Sequence, residues 1–136
     1  MYKKLKNRIE DMFAFVEKQI LFIKETTSHL KSTDDFLSSQ SGTILYNSTC
    51  MCLQTIGETL KQVDNLTQQQ MLRTSYPAVP WRGIWGLRNI ISHEYMATDP
   101  DEIFSIVRND LDSLLQIVQK MRKDLQSGIL DGWLDK

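Results

Sequence analysis

The stretch "DEIFSIVRNDLDSLLQIVQKMRKDLQ", Asp101 to Gln126, decides the fold class. Its apolar residues Ile103, Val107, Leu111, Leu114, Val118, Met121 and Leu125 recur at steps of 4, 4, 3, 4, 3 and 4. An α-helix returns to one face every three or four residues, so these seven form a single apolar stripe on a long amphipathic helix. Just upstream, "ATDP" supplies a Thr or Asp cap and a proline for the first turn. Asp101 and Glu102 then place negative charge at the positive end of the helix dipole. The acidic residues Asp99, Asp101 and Glu102 read as dipole partners rather than metal ligands, so no metal is expected.

The same period appears twice more upstream. "KNRIEDMFAFVEKQILFIKETTSHLK" carries Ile9, Met12, Phe13, Val16, Ile20 and Ile23, mostly three or four apart. "SGTILYNSTCMCLQTIGETLKQVDNLTQQQ" carries Leu45, Cys52, Ile56, Leu60, Val63 and Leu66. Between the two, "STDDFLSS" is rich in cap and turn residues and reads as a loop or one helical turn with Phe36 tucked inward. Gly57 sits inside the second helix, where it costs about 1 kcal/mol relative to Ala. Close approach of a neighbouring helix is the simplest compensation. "RTSYPAVPW" breaks the pattern, because Pro77 and Pro80 cannot lie inside a helix. Pro80 can open a third helix, expected from about Pro80 to His93.

Four helices with short loops predict an all-α, up-down antiparallel four-helix bundle with short extra helical turns. Length and the absence of a linker or internal repeat predict one helical domain over 1–126. Residues 127–136 are expected to be a tail or short cap.

Composition narrows the function. The chain has 136 residues, 41% hydrophobic and 24% charged, with three prolines and six glycines, an ordinary globular make-up. With 16 basic and 17 acidic residues the net charge is −1, so no global positive field exists to hold a long nucleic-acid duplex. A local RNA contact needs only a small basic cluster. The start "MYKKLKNRIEDM" is charged where a signal peptide needs an apolar core, and no apolar run approaches a membrane span of roughly 20 residues. A cytoplasmic protein with no membrane association is expected. Cys50 and Cys52 are expected to be reduced packing residues, since residues two apart point to different helix faces and only His29 and His93 are left to complete a zinc site.

The chemistry-bearing stretch is "GLRNIISHEY", Gly86 to Tyr95. On a wheel of roughly 100° per residue, Ile84, Leu87 and Ile91 fall together and should face the core. Arg82, Asn89 and His93 fall together on the opposite side, Arg88 lies between, and Trp85 and Ser92 are nearby. An amphipathic helix with a solvated polar face explains much of this. Trp and Arg together, however, are typical of interfaces. An Arg and a His can also treat a phosphate: His moves a proton near neutral pH, and Arg stabilises charge in the transition state. That pair suffices for metal-free RNA cleavage, where the adjacent 2′-hydroxyl is the nucleophile. Glu58 in "IGET" is either a partner for Arg88 or a surface charge. Arg82 either contacts RNA or pairs with an acidic residue of its own bundle, and the ion pair is the expectation.

Those residues also carry a resemblance. "RNIISHEY" fits the R-x-x-x-x-H-x-Y pattern of HEPN ribonucleases, and specifically resembles the HepT-like toxins of prokaryotic toxin–antitoxin pairs. "LQTIGETLKQV", "YPAVPWRGIWGLRNIISHEY" and "DEIFSIVRNDLDSLLQIV" resemble that family's second, third and fourth helices. The resemblance implies an all-helical homodimer acting as the toxin of a type VII toxin–antitoxin system. It implies a metal-independent endoribonuclease with Arg88 and His93 as the catalytic pair, Asn89 as the polar residue beside the Arg, and no cofactor. Tyr95 matches the tyrosine adenylylated by a partner minimal nucleotidyltransferase, the antitoxin. Arg82, Trp85 and Glu58 would be RNA or interface contacts. Arg88 and His93, five apart, diverge by about 140° on an ideal helix, so one chain cannot converge both on one point. A two-fold dimer supplies each twice. The alternative is a non-catalytic helical module of the same family that binds the nucleotidyltransferase, nucleotide, or both.

Overall fold

Helix α3, Gln40–Leu66, starts where Ser39 accepts a hydrogen bond from the Gly42 amide at 2.9 Å, a side-chain cap on an otherwise orphaned donor. Its stripe Cys52, Ile56, Leu60 and Val63 is buried, with Leu45 and Leu66 half-buried beside it. Against it runs α1, Tyr2–Thr27, burying Ile9, Phe13, Val16, Ile20 and Ile23. The connecting "STDDFLSS" forms the single turn α2, Asp34–Leu37, and Phe36 is fully buried with its ring edge-on to Tyr46. Periodicity and turn chemistry predict all three elements.

These relations come from a computed structural model describing residues 2–90 and 99–134. Among the described residues the secondary structure is helical and no strand occurs. The further helices are α4, Met71–Ser75, α5, Trp81–Gly86, α6, Pro100–Asn109, and α7, Leu111–Ser127. Helix α7 packs on α1 as α3 does, and ion pairs bind the α1–α7 seam: Arg122 with Glu10 and Glu17, and Lys24 with Asp112. Low numbers on α1 meet high numbers on α7, so the two run antiparallel. The core therefore lies among α1, α3 and α7.

Three features depart from four uninterrupted helices. The Ile103–Leu125 stripe is divided at Asn109–Asp110, two weak helix formers, where Asp110 relaxes to φ −111° and a second helix begins at Leu111. The stripe still buries Ile103, Leu111, Leu114, Val118, Met121 and Leu125. The expected third helix is α-helical only through Gly86 and tightens into a 3-10 turn over Leu87–Asn89. Its expected end near His93 lies outside the described residues. The segment 128–134 docks on the bundle: Gly128 ends α7 at φ +92°, a conformation suited to glycine, and Leu130 and Leu134 are 3% exposed. Asp131 accepts from Lys6 at 2.9 Å and from the Tyr2 hydroxyl at 3.4 Å.

Helix α6 opens as the sequence predicts. Asp99 caps it by accepting from the Asp101 amide at 2.9 Å, and Pro100 takes the first turn. Cys50 and Cys52 are buried free thiols, and burial pushes both thiols up, away from reactivity. No helix among the described residues is long and apolar enough to cross a membrane.

The loop before α5 is latched to α7. The Tyr76 hydroxyl donates to Asp124 Oδ2 at 2.7 Å, and Lys120 donates to the same oxygen at 3.1 Å. The tyrosine's hydrogen bond, then Lys120, holds the Asp124 carboxyl below the usual range, and burial and then Asp124 raise the Tyr76 phenol. A lowered folded pKa gives stability that is full above the ordinary carboxylate value and lost as pH falls through the folded one. Urea unfolding is therefore expected to show an acid-side loss that shrinks in Tyr76→Phe, which itself costs about 1–2 kcal/mol at neutral pH. On the alkaline side the phenol's contribution holds below its ordinary value of 10.0 and is lost above it.

Candidate functional site

Helix α5 is fixed by its aromatic residues. Trp81 is 6% exposed, and its indole N–H lies 3.1 Å from the Leu72 carbonyl and 3.0 Å from that of Tyr76. Trp85, half-buried, stacks on Trp81 with ring centroids 5.1 Å apart. The Lys61 ammonium stands over the Trp85 ring at 5.1 Å. Trp85 is thus committed to holding α5 on α3.

Lys61 is held in turn by Asp64, the fully buried carboxylate of α3. Asp64 Oδ2 accepts from Lys61 at 2.9 Å and from Arg73 of α4 at 3.0 Å. A buried charge needs such partners. This group ties α3, α4 and α5 together. Sequence reading passes over it, because a lone Asp on a helix normally signals a solvated face; the Lys61–Asp64 spacing of one helical turn is its only trace.

The contact that compensates Gly57 is α5 with its 3-10 extension. A Cβ built on Gly57 would lie 2.7 Å from the Arg88 backbone nitrogen, 2.9 Å from the Ile84 carbonyl oxygen and 2.9 Å from Leu87 Cβ. The bare α3 backbone therefore seats the stretch that bears Arg88. The helix-wheel faces hold for the described residues: Ile84 is buried and Leu87 half-buried, while Arg82, Arg88 and Asn89 are exposed. Ile91, Ser92, His93 and Tyr95 lie outside the described residues.

Glu58 takes the surface-charge alternative, and the ion pair expected of Arg82 is not found among the described residues. Among the described residues, Glu58 makes no ion pair with Arg88; it is exposed and accepts from Gln54, one turn earlier, at 3.4 Å. Arg82 makes no ion pair among them either and stands exposed on α5. Both guanidinium groups stand at the surface.

Beside them runs a groove of about 960 Å³ between α5 with its extension and the α6–α7 pair. Its walls are apolar, from Val79, Pro80, Ile84, Leu87, Ile106 and Leu114 among others. Asn89 reaches its lining, and Asp99, Glu102 and Asp110 give it acidic margins. No cluster of metal-ligating side chains occurs among the described residues.

The family model described as "Ribonuclease HepT-like" matches residues 16–121. The chain is similar to the "Probable ribonuclease HepT" of Thermococcus cleftensis, 26% identical over 119 residues, covering 88% of this chain and 100% of that protein. It is similar to two proteins of Methanocaldococcus jannaschii. One, "Putative RNase MJ0125", is 23% identical over 118 residues, 85% of this chain and 95% of that protein. The other, "Putative RNase MJ1380", is 33% identical over 74 residues, 54% of this chain and 57% of that protein. No solved structure matches the chain.

Proposed function

The chain belongs to the Ribonuclease HepT-like family, and from that membership we propose that it is the toxin of a prokaryotic type VII toxin–antitoxin system. It acts as a metal-independent endoribonuclease through Arg88 and His93, with Asn89 beside the arginine. The observation that carries this reading is the family match over 16–121, which spans the whole Arg-x-x-x-x-His stretch. The exposure of Arg88 on a fixed backbone supports it, since a phosphate-binding guanidinium must be reachable and held still.

The chemistry needs no group beyond the side chains. His93 takes the proton from the 2′-hydroxyl, and the 2′-oxygen attacks the neighbouring phosphorus. The bond from phosphorus to the 5′-oxygen breaks, and a protonated imidazole returns a proton to that oxygen. Arg88 binds the phosphate oxygens and meets the charge that builds on them. A homodimer provides two imidazoles and two guanidiniums in one cleft, so base and acid can come from different copies.

The groove supports dimerisation through a second copy. It is apolar, includes Asn89 in its lining, and carries carboxylates that complement the exposed Arg82 of a facing protomer. In that assembly each protomer is an up-down bundle, with the α5 stretch as third member and α6–α7 as fourth. Tyr95 is where a partner nucleotidyltransferase attaches an adenylyl group, whose bulk and negative charge keep substrate phosphate from Arg88.

The purified protein is expected to cut RNA in the presence of a chelator, with cutting lost in His93→Ala. Equal activity of wild type and His93→Ala would favour a non-catalytic module instead. Co-expression with a nucleotidyltransferase encoded beside the gene is expected to add adenylyl mass, absent from Tyr95→Phe.

A further inference from the structure

We infer that Gly57 is a positioning residue for Arg88, an inference that rests on the ribonuclease reading for the arginine's role. The three atoms a Cβ at position 57 would meet are the Arg88 nitrogen at 2.7 Å, the Ile84 carbonyl oxygen at 2.9 Å and Leu87 Cβ at 2.9 Å. Two are backbone and the third is bonded directly to it, so none can swing aside as a side-chain tip does. To restore ordinary contact, the backbone at Arg88 has to retreat by about 0.7 Å.

The direction of that retreat is restricted. Helix α5 is anchored at its start by the Trp81 indole, which is close to two carbonyls, and near its end by Trp85, which stacks on Trp81 beneath the Lys61 ammonium. Helix α3 is itself tied to α1 and, through Asp64, to α4. The displacement therefore collects at Leu87–Asn89, the 3-10 extension that carries Arg88. Alanine is the better helix former, so α3 is not weakened by the change. Its effect falls on where the guanidinium stands.

A misplacement of this size matters for a group that meets transition-state charge and matters much less for loose binding. Gly57→Ala is expected to lower kcat for RNA cleavage by at least about ten-fold, with KM changed less than about three-fold. Ile20→Val, a core change on α1 remote from the site, is the stability control and is expected to keep wild-type kcat. A second readout does not depend on cleavage. Inorganic phosphate is titrated while the nitrogen–proton NMR correlation of the Arg88 Nε–Hε group is followed, that signal being identified by its loss in Arg88→Lys. Gly57→Ala is expected to shift this signal from the start, with the half-saturating phosphate raised less than about three-fold.

Wild-type kcat together with an unshifted Arg88 signal in Gly57→Ala would overturn the role of Gly57 and leave the ribonuclease reading standing. A wild type that cuts no RNA would end the ribonuclease reading, and the shift of the Arg88 signal in Gly57→Ala would then decide Gly57. Should Gly57→Ala fail to fold, amide exchange in the wild type decides. Protection at Arg88 like that of the α3 core supports the role, and exchange as fast as in an exposed loop rejects it.

Discussion

Arg88→Ala is expected to lower kcat for RNA cleavage by about 10²–10³-fold, the usual loss when one preorganised donor to a transition-state oxyanion is removed. The guanidinium is exposed and makes no ion pair among the described residues. Its removal should therefore change stability by no more than about 0.5 kcal/mol, as for surface substitutions elsewhere. Large loss of rate with small loss of stability is what marks a functional arginine. Arg88→Lys keeps the charge but not the planar fork, and should recover only part of the rate. Single-turnover cleavage with saturating enzyme separates chemistry from binding. An Arg88→Ala rate within a few-fold of wild type would remove the arginine from the mechanism.

Trp81→Ala is expected to cost about 3–5 kcal/mol, as for other buried large aromatics cut to alanine. It removes a side chain that is 6% exposed, opens a cavity between α4 and α5, and takes away the indole donor that lies near the Leu72 and Tyr76 carbonyls. A domain of this size holds only about 5–15 kcal/mol in total, so the variant should unfold at a markedly lower urea concentration. Trp81→Phe keeps most of the ring volume and loses the N–H, and should cost about 1–3 kcal/mol. If both variants unfolded at the wild-type midpoint, Trp81 would not be what fixes α5.

The two predictions separate the parts of one short segment. Arg88 acts on the ligand side and contributes little to the fold. Trp81, seven residues earlier, anchors the fold and is shielded from any ligand. Both belong to the expected third helix, but only their surroundings divide the roles. A helical wheel ranks positions by direction, which placed Ile84 inside and Arg82 and Asn89 outside. It holds no information on what stands opposite a position. The Lys61 ammonium over Trp85, the fully buried Asp64 and the α5 backbone against Gly57 all depend on a second element.

Long-range periodicity was the readable part, since burial of an apolar stripe is repeated at every turn of α1, α3 and α7. Short elements were less readable. Helix α4 has too few residues to show a period, and its Met71 and Leu72 are buried without announcing a face. The division at Asn109–Asp110 left the stripe almost in phase, so the apolar spacing alone suggested one helix. The tightening at Leu87–Asn89 changes the angle per residue from 100° to about 120°, which a uniform wheel cannot represent. His93 is a candidate by its chemistry beside Arg88 and Tyr95 by the family resemblance, and both lie outside the described residues.

The placement of α1 between α3 and α7 has a consequence for how the chain reaches its native state. The face of α1 that meets α7 is synthesised about a hundred residues ahead of its partner, as the Glu10–Arg122 pair shows. Closing that separation costs loop entropy before any contact rewards it, which slows folding relative to bundles built from sequence neighbours. The α1–α3 pair closes over a much shorter loop and can form first. The seat that α3 offers to the Arg88 segment is therefore expected to form before α7 covers α1's second side, an order that pulsed amide exchange during refolding would read.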